Sequence, residues 1–197
     1  MREIRNVVGG IGNIMFKQAY LYAQMREGNI PDVYVQSHKY FDKYKEEIKQ
    51  MYGDDIGFLP YVAIHIRRGD YHKGNFHTRL SETDYYERAV KEFEGKKFLV
   101  FCHDRQDPEK DKEDREWCQK YFTELLGEDN FQLVENETDI EDLNMMASCE
   151  GMIMANSTFG WWSAYLNPNH NKRIICPKEW FTDGVKRIDL LDEWKKI

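Results

Sequence analysis

A chain of 197 residues, 41% hydrophobic and 14% aromatic, can bury a substantial core and is not a disordered segment. Its formal charge of −7 argues against a general binder of nucleic acid or of anionic membrane surfaces, so an anionic ligand would need a local cluster of cations. Cys102, Cys118, Cys149 and Cys176 form no CxxC pair and no metal spacing, and no apolar run approaches a membrane span. With no signal-peptide core at the N-terminus, the expectation is a cytoplasmic protein with reduced thiols.

In chain order, "IRNVVGGIGNIMFKQAYLYAQMR" reads as strand, glycine turn and helix, and "YVQSHKYFDKYKEEIKQMYG" as a helix with an aromatic entry. Only "EGNIPD" lies between them, too little to complete a sheet, so residues 1–60 are expected to be a partial N-terminal α/β domain. From Tyr61 onward short apolar strands alternate with amphipathic helices. "YVAIHIR" is a strand. "SETDYYERAVKEFEG" is a helix, with Ser81 as its N-cap and Gly95 as its stop. Then come the strand "KKFLVFCHD", the helix "DREWCQKYFTELLG", the strand "FQLVEN" and the helix "DIEDLNMMASC". The strand "GMIMANS", the helix "TFGWWSAYLN", ended by Asn167-Pro168, and the strand "KRIICPKEW" complete the pattern. The charge run "DPEKDKEDRE" reads as a solvated helix start. Such alternation builds right-handed βαβ units and a parallel sheet with helices on both faces. Residues 61–197 are thus expected to form a Rossmann-like domain that binds its ligand at the C-terminal ends of its strands.

Three constellations fall at such ends or turns. His65, Arg67 and Arg68 close the first strand, where alternation, if the strand persists that far, sends His65 and Arg67 to one face and Arg68 to the other. An arginine fork there can hold a phosphate through paired, charge-assisted hydrogen bonds; the plain alternative is a surface pair with salt-bridge partners. The tripeptide Arg68-Gly69-Asp70 also spells an adhesion motif, which a strand-end position in a cytoplasmic chain disfavours. In "MANSTFGWWSAYLNPN", Asn156 ends a strand, and Ser157 and Thr158 stand where a helix begins. They could bind phosphate at the positive end of the helix, or simply cap it while Trp161 and Trp162 fill the core. In "VVGGIGNIMF", Gly10 and Gly12 imply close backbone approach and Asn13 offers a donor and an acceptor, but the spacing is neither a P-loop nor GxGxxG.

Taken in order, "GGIGNIMF", "HIRRGDY", "DIEDLNMMASC" and "NSTFGWWSAYLNP" resemble the bacterial α-1,2-fucosyltransferases of glycosyltransferase family 11, within the wider α-1,2-, α-1,6- and protein O-fucosyltransferase superfamily. The resemblance implies an inverting enzyme of the two-domain GT-B architecture that moves fucose from GDP-fucose to a galactose-containing glycan without a metal ion or other cofactor. It implies that Arg67 holds the β-phosphate, with Arg68 beside it, that His65 lies beside guanine and ribose, and that Asp142 reads the guanine edge. Asn156, Ser157, Thr158 and Phe159 would form the phosphate-side donor site, and Gly10, Gly12 and Asn13 the loop facing it. Lipid-linked acceptors would bring such a chain to the inner face of the membrane. No nucleic-acid partner is implied.

Elementary chemistry is consistent with this. Breaking a sugar–phosphate bond builds charge on the β-phosphate, which arginine and helix-terminus donors can stabilise. The chain contains no Asp-x-Asp tripeptide, the usual metal signature of the other large glycosyltransferase fold. The base that would deprotonate the acceptor is not fixed by the motifs: Asp70 is the nearest acid to the arginines but could equally brace Arg67 or the turn, with His77 and Glu82 as further candidates and Tyr71 as packing. One departure stands out. The family usually carries much more chain between the glycine loop and the arginine block than the fifty or so residues found here. Abrupt joins at "EGNIPD" and "YGDDIGFLP", between Gly28 and Pro31 and near Gly53 and Pro60, lead us to expect segments missing there. A true deletion would instead leave a GDP-sugar-binding remnant without an acceptor site.

Overall fold

The computed structural model describes residues 10–27, 36–53, 56–72, 75–105 and 107–197, apart from the side chains of Met25, Asp70 and His72. The strand expected before the glycine turn and the joins after Gly28 and Gly53 lie wholly or partly outside these residues. Six parallel strands form one sheet: β1 (Leu59–His65), β2 (Phe98–Phe101), β3 (Phe131–Leu133), β4 (Cys149–Ile153), β5 (Arg173–Cys176) and β6 (Lys195–Lys196). Their order is β3-β2-β1-β4-β5-β6. The chain builds outward from β1 to β3, then returns to lay β4 against the other side of β1. The order reverses between β1 and β4, where the connecting loops diverge and open a crevice.

Among the described residues, six α-helices accompany the strands: α1 (Ile11–Glu27), α2 (Lys45–Tyr52), α3 (Tyr85–Val90), α4 (Pro108–Leu126), α5 (Asp139–Ser148) and α6 (Thr158–Leu166). Helices cover both faces, so a strand such as "FLVF" is continuously apolar, and "RIIC" is apolar and buried after its exposed first residue, rather than alternating. On one face, Tyr85, Tyr86, Cys118 and Phe122 of α3 and α4 pack against Val62, Ile64 and Val100. On the other, side chains of α1, α2, α5 and α6 pack against Ala63, Leu99 and Met152. Trp161 and Trp162 belong to this second layer, with the ring of Phe16 centred 4.5 Å and 5.1 Å from theirs. The glycine-turn helix α1 is thereby fixed to α6. Among the described residues, no helix is long and apolar enough to cross a membrane.

The structure departs from the sequence reading at several points. The helix expected from Ser81 to Gly95 breaks into a 3-10 turn (Leu80–Glu82), the short α3 and a second 3-10 turn (Lys91–Phe93). Thr83, not Ser81, bridges the break: its hydroxyl donates to Leu80 O at 2.8 Å and accepts from Tyr85 N at 3.3 Å. The second expected helix likewise opens as two 3-10 turns before α2. β4 ends at Ile153, ahead of Asn156, and β6 carries no pattern of its own because only its pairing with β5 defines it.

The largest correction concerns the charge run. It forms the first turns of α4, which begins at Pro108 after the N-cap Asp107, and Asp114 within it is buried. The Asp114 carboxylate accepts from Arg68 Nε at 2.9 Å and from Gly69 N at 3.1 Å, with Lys110 Nζ 3.3 Å away. The Arg68 guanidinium lies 4.2 Å from the Trp117 ring centroid. This pair ties the loop after β1 to α4. Asp114→Ala should strand a largely buried guanidinium and lower stability by about 3 kcal/mol, measurable by urea denaturation.

Candidate active site

At the C-terminal edge of the sheet lies a cavity of about 450 Å³. Strand order dictates how its walls are arranged. Phe101, which ends β2, and His103 and Arg105 just beyond it line one side together with Asp139 and Asp142 of α5. His65 and Arg67 from β1 and residues 156–159, which follow β4, line the middle. Tyr71, Phe76, His77, Trp180, Phe181 and Arg187 close the other side, and Gly10, Ile11, Gly12, Asn13 and Gln36 come from the N-terminal segment. The cavity therefore straddles the point where the strand order reverses.

The two arginines after β1 separate as alternation predicts. Arg67 lines the cavity, with its guanidinium 5.6 Å from the Tyr71 ring centroid. Arg68 turns to the α4 side and its pair with Asp114, so the structure does not bring it to the cavity. This is the physical correction to grouping both arginines as donor contacts: Nε of Arg68 already serves a buried carboxylate. The side chain of Asp70 lies outside the described residues. Tyr71 does pack, as expected, but it also forms cavity wall: its hydroxyl donates to Asn156 O at 2.9 Å and its ring stacks on His77 at 3.8 Å.

His65 is almost wholly enclosed at 6% exposure, and Tyr86 Oη donates to its carbonyl at 3.2 Å. Its Nδ1 abuts α6, where a Cβ on Gly160 would lie only 2.6 Å away. Burial, reinforced by the charge of Arg67, pushes its pKa down to about 3, so the imidazole is neutral near pH 7. A neutral ring can offer one donor and one acceptor to a ribose or base.

The first turn of α6 fills the middle of the cavity. Ser157 is its N-cap, and its Oγ accepts from Phe159 N at 3.3 Å. Capping therefore uses one of the three first-turn donors, leaving the N–H groups of Thr158 and Gly160 for a ligand at the positive helix end. Gly12 lies against this turn: a Cβ there would stand 2.4 Å from the Thr158 carbonyl carbon and 2.5 Å from Phe159 N. The glycine motif is thus explained by close approach. Gly10, by contrast, is exposed, and no described residue beyond its chain neighbours lies within 4 Å of where a Cβ would be. Asn13 Oδ1 accepts from Gln36 Nε2 at 2.7 Å. Asn156 Nδ2 donates to Thr78 O and Trp180 O at 2.9 and 2.8 Å, while its buried Oδ1 has no donor among the described residues.

Asp142 is also buried, and burial raises its pKa against the opposing pull of Arg105. Arg105 Nη1 lies 2.8 Å from its Oδ2, and Asn136 Nδ2 donates to its Oδ1 at 3.1 Å. A capping box between Thr138 and Glu141 fixes the start of α5 and hence the direction of this carboxylate. Arg105 and His103 belong to no motif in the sequence reading, yet both follow the end of β2, which was signal enough to suspect them. Phe76, Trp180, Phe181 and Arg187 gave no such signal, because loops far apart in sequence bring them together. Among the described residues, no group of three or more His, Cys, Asp or Glu is placed to hold a metal ion.

Comparison with known proteins fits this geometry. The family model "Glycosyl transferase family 11" matches residues 14–197. The chain belongs to that family. Within curated relatives, it is 32% identical over 143 residues to the Escherichia coli "O-antigen biosynthesis glycosyltransferase WbnK", covering 68% of this chain and 43% of that protein. It is 30% identical over 166 residues to an E. coli "Alpha-1,2-colitosyltransferase", covering 74% and 54%. A "Putative glycosyltransferase C06E1.7" of Caenorhabditis elegans is 28% identical over 202 residues, covering 83% and 54%. The chain spans about half the length of these curated relatives. No solved structure matches.

Two measurements test the site's construction. Gly12→Ala should push α1 away from α6 at a cost of about 1–3 kcal/mol, seen as a lower melting temperature. His65 makes acid stability diagnostic. The unfolded imidazole takes up a proton near pH 6.5 but the folded one only near 3, so its contribution is complete above 6.5 and is lost as pH falls through that window. His65→Gln should therefore flatten the fall in unfolding free energy between about pH 6.5 and 5 relative to the parent chain.

Proposed function

We propose that this chain carries the donor site of a metal-independent, inverting glycosyltransferase of GT-B architecture that moves fucose from GDP-fucose to O2 of a galactoside. The observation that supports this best is the placement of Arg67, the first turn of α6 and Asp142 around one cavity in a family 11 chain. In this reading the diphosphate lies between the Arg67 guanidinium and the N–H groups of Thr158 and Gly160, with guanine toward Asp142. The acceptor oxygen attacks the anomeric carbon from the face opposite the phosphate. As its bond to the sugar breaks, the electron pair passes to the β-phosphate oxygen, where Arg67 and the helix end stabilise it. The acceptor proton passes to a base, for which Asp70 and the cavity-lining His77 are the candidates.

Two further readings each have a specific observation behind them. The relative named for α-1,2-colitosyl transfer makes colitose an alternative sugar on the same nucleotide. The short separation between the glycine loop at Asn13 and the arginine block at His65 favours a GDP-sugar-binding remnant that does not catalyse transfer.

The test is a transfer assay in EDTA with GDP-fucose and GDP-colitose against a panel of galactosides. We expect a fucosylated product, and at least about a hundredfold less of it from Arg67→Ala at an unchanged melting temperature. GDP binding without transfer of either sugar would establish the remnant reading. Parent-level transfer by Arg67→Ala would remove Arg67 from the mechanism.

A further inference from the structure

Arg105 belongs to no recognised motif, yet it organises the β2 side of the cavity. Its Nε donates to Glu137 O at 3.2 Å, its Nη2 to Asn136 O at 2.9 Å, and its Nη1 to Asp139 Oδ1 at 2.7 Å and Asp142 Oδ2 at 2.8 Å. A guanidinium has five N–H donors, so these contacts leave one hydrogen, on Nη2, uncommitted. Asp142 is similarly part-filled. Each carboxylate oxygen receives one side-chain donor, from Arg105 and from Asn136, and retains acceptor capacity. Both residues line the cavity, so one wall carries a partly exposed donor beside a buried acceptor, and an unpaired polar group at that carboxylate is costly.

We propose that Arg105 is a specificity-determining residue that reads the purine 6-position while Asp142 reads positions 1 and 2. This rests on the nucleotide-diphosphate reading above and adds to it. Guanine offers an acceptor, O6, beside two donors, N1–H and the 2-amino group, which complements a guanidinium beside a carboxylate. Adenine offers the opposite: its 6-amino group would point a donor at a donor, and its N1 an acceptor at an acceptor. Rejection then comes from two unpaired contacts as well as from lost attraction. Arg105 also holds Asp142 ready, because a cation 2.8 Å away opposes the protonation that burial favours.

Two nucleotide probes separate the two readouts. In 6-thio-GDP only O6 is replaced, by a sulfur that accepts poorly; in IDP only the 2-amino group is removed. Calorimetric titration of the parent chain should show GDP bound about tenfold more tightly than either probe. Arg105→Met should bring the GDP to 6-thio-GDP ratio close to one and lower the GDP to IDP ratio by a smaller factor, because Asp142 loses its neighbouring cation, and Arg105→Lys should restore part of the first ratio. A merely structural role for Arg105 would weaken all three nucleotides alike; an unchanged GDP to 6-thio-GDP ratio in Arg105→Met would therefore overturn the proposal. Failure of the underlying reading looks different: the parent chain itself would then bind GDP no better than ADP.

Discussion

The first turn of α6 is approached from two sides at distances no side chain permits. Gly12 of α1 lies over the Thr158 carbonyl and Phe159 N–H, and Gly160 leaves room for the imidazole of His65 beneath. Together these contacts hold a helix N-terminus beside the end of the central strand, where Ser157, Thr158 and Phe159 line the cavity. The aromatic layer beneath, Phe16 against Trp161 and Trp162, keeps α1 in that position. A substituent at either glycine would therefore disturb packing and the electrostatics of the cavity together.

Net negative charge is compatible with an anion site because each cation has its own local assignment. Arg67 faces the cavity, Arg68 is held by Asp114 on the opposite face, and Arg105 bridges two carboxylates and two carbonyls at the far wall. Three arginines, all placed just after strands, thus have three different physical tasks. Their separation follows from backbone direction and from which helix lies within reach. The neutral state of His65 belongs to the same arrangement: burial disfavours a second positive charge beside Arg67 and keeps the ring available as a hydrogen-bonding group.

Much of the architecture was legible because parallel strands buried on both faces leave compact apolar runs: β2 and β5 fall within the segments read as strands, while β1 and β4 overlap theirs and begin two residues earlier. The separation of Arg67 from Arg68 was legible too, since alternation depends only on backbone geometry. Asp142 was singled out only by family resemblance; nothing around it in the sequence distinguishes it from neighbouring acids on α5. The break before α3 was hidden because Thr83 is unremarkable until its hydroxyl is seen closing a turn. Asp114 was hidden among nine other residues of a charge run, and its burial depends on Arg68, 46 residues earlier in sequence. Arg105 depends on contacts with residues 31 to 34 positions later in the chain, which local periodicity does not encode.

The central claim is one of location: a guanosine diphosphate lies along the C-terminal edge of the sheet, with its phosphates at the start of α6. Hydrogen exchange of the chain with and without GDP tests this most directly. The account predicts slowed exchange at the amides of Thr158 and Gly160 and in the segment from His65 to Gly69, with α3 unchanged. Saturating binding of GDP that leaves those amides exchanging at their original rate would contradict it.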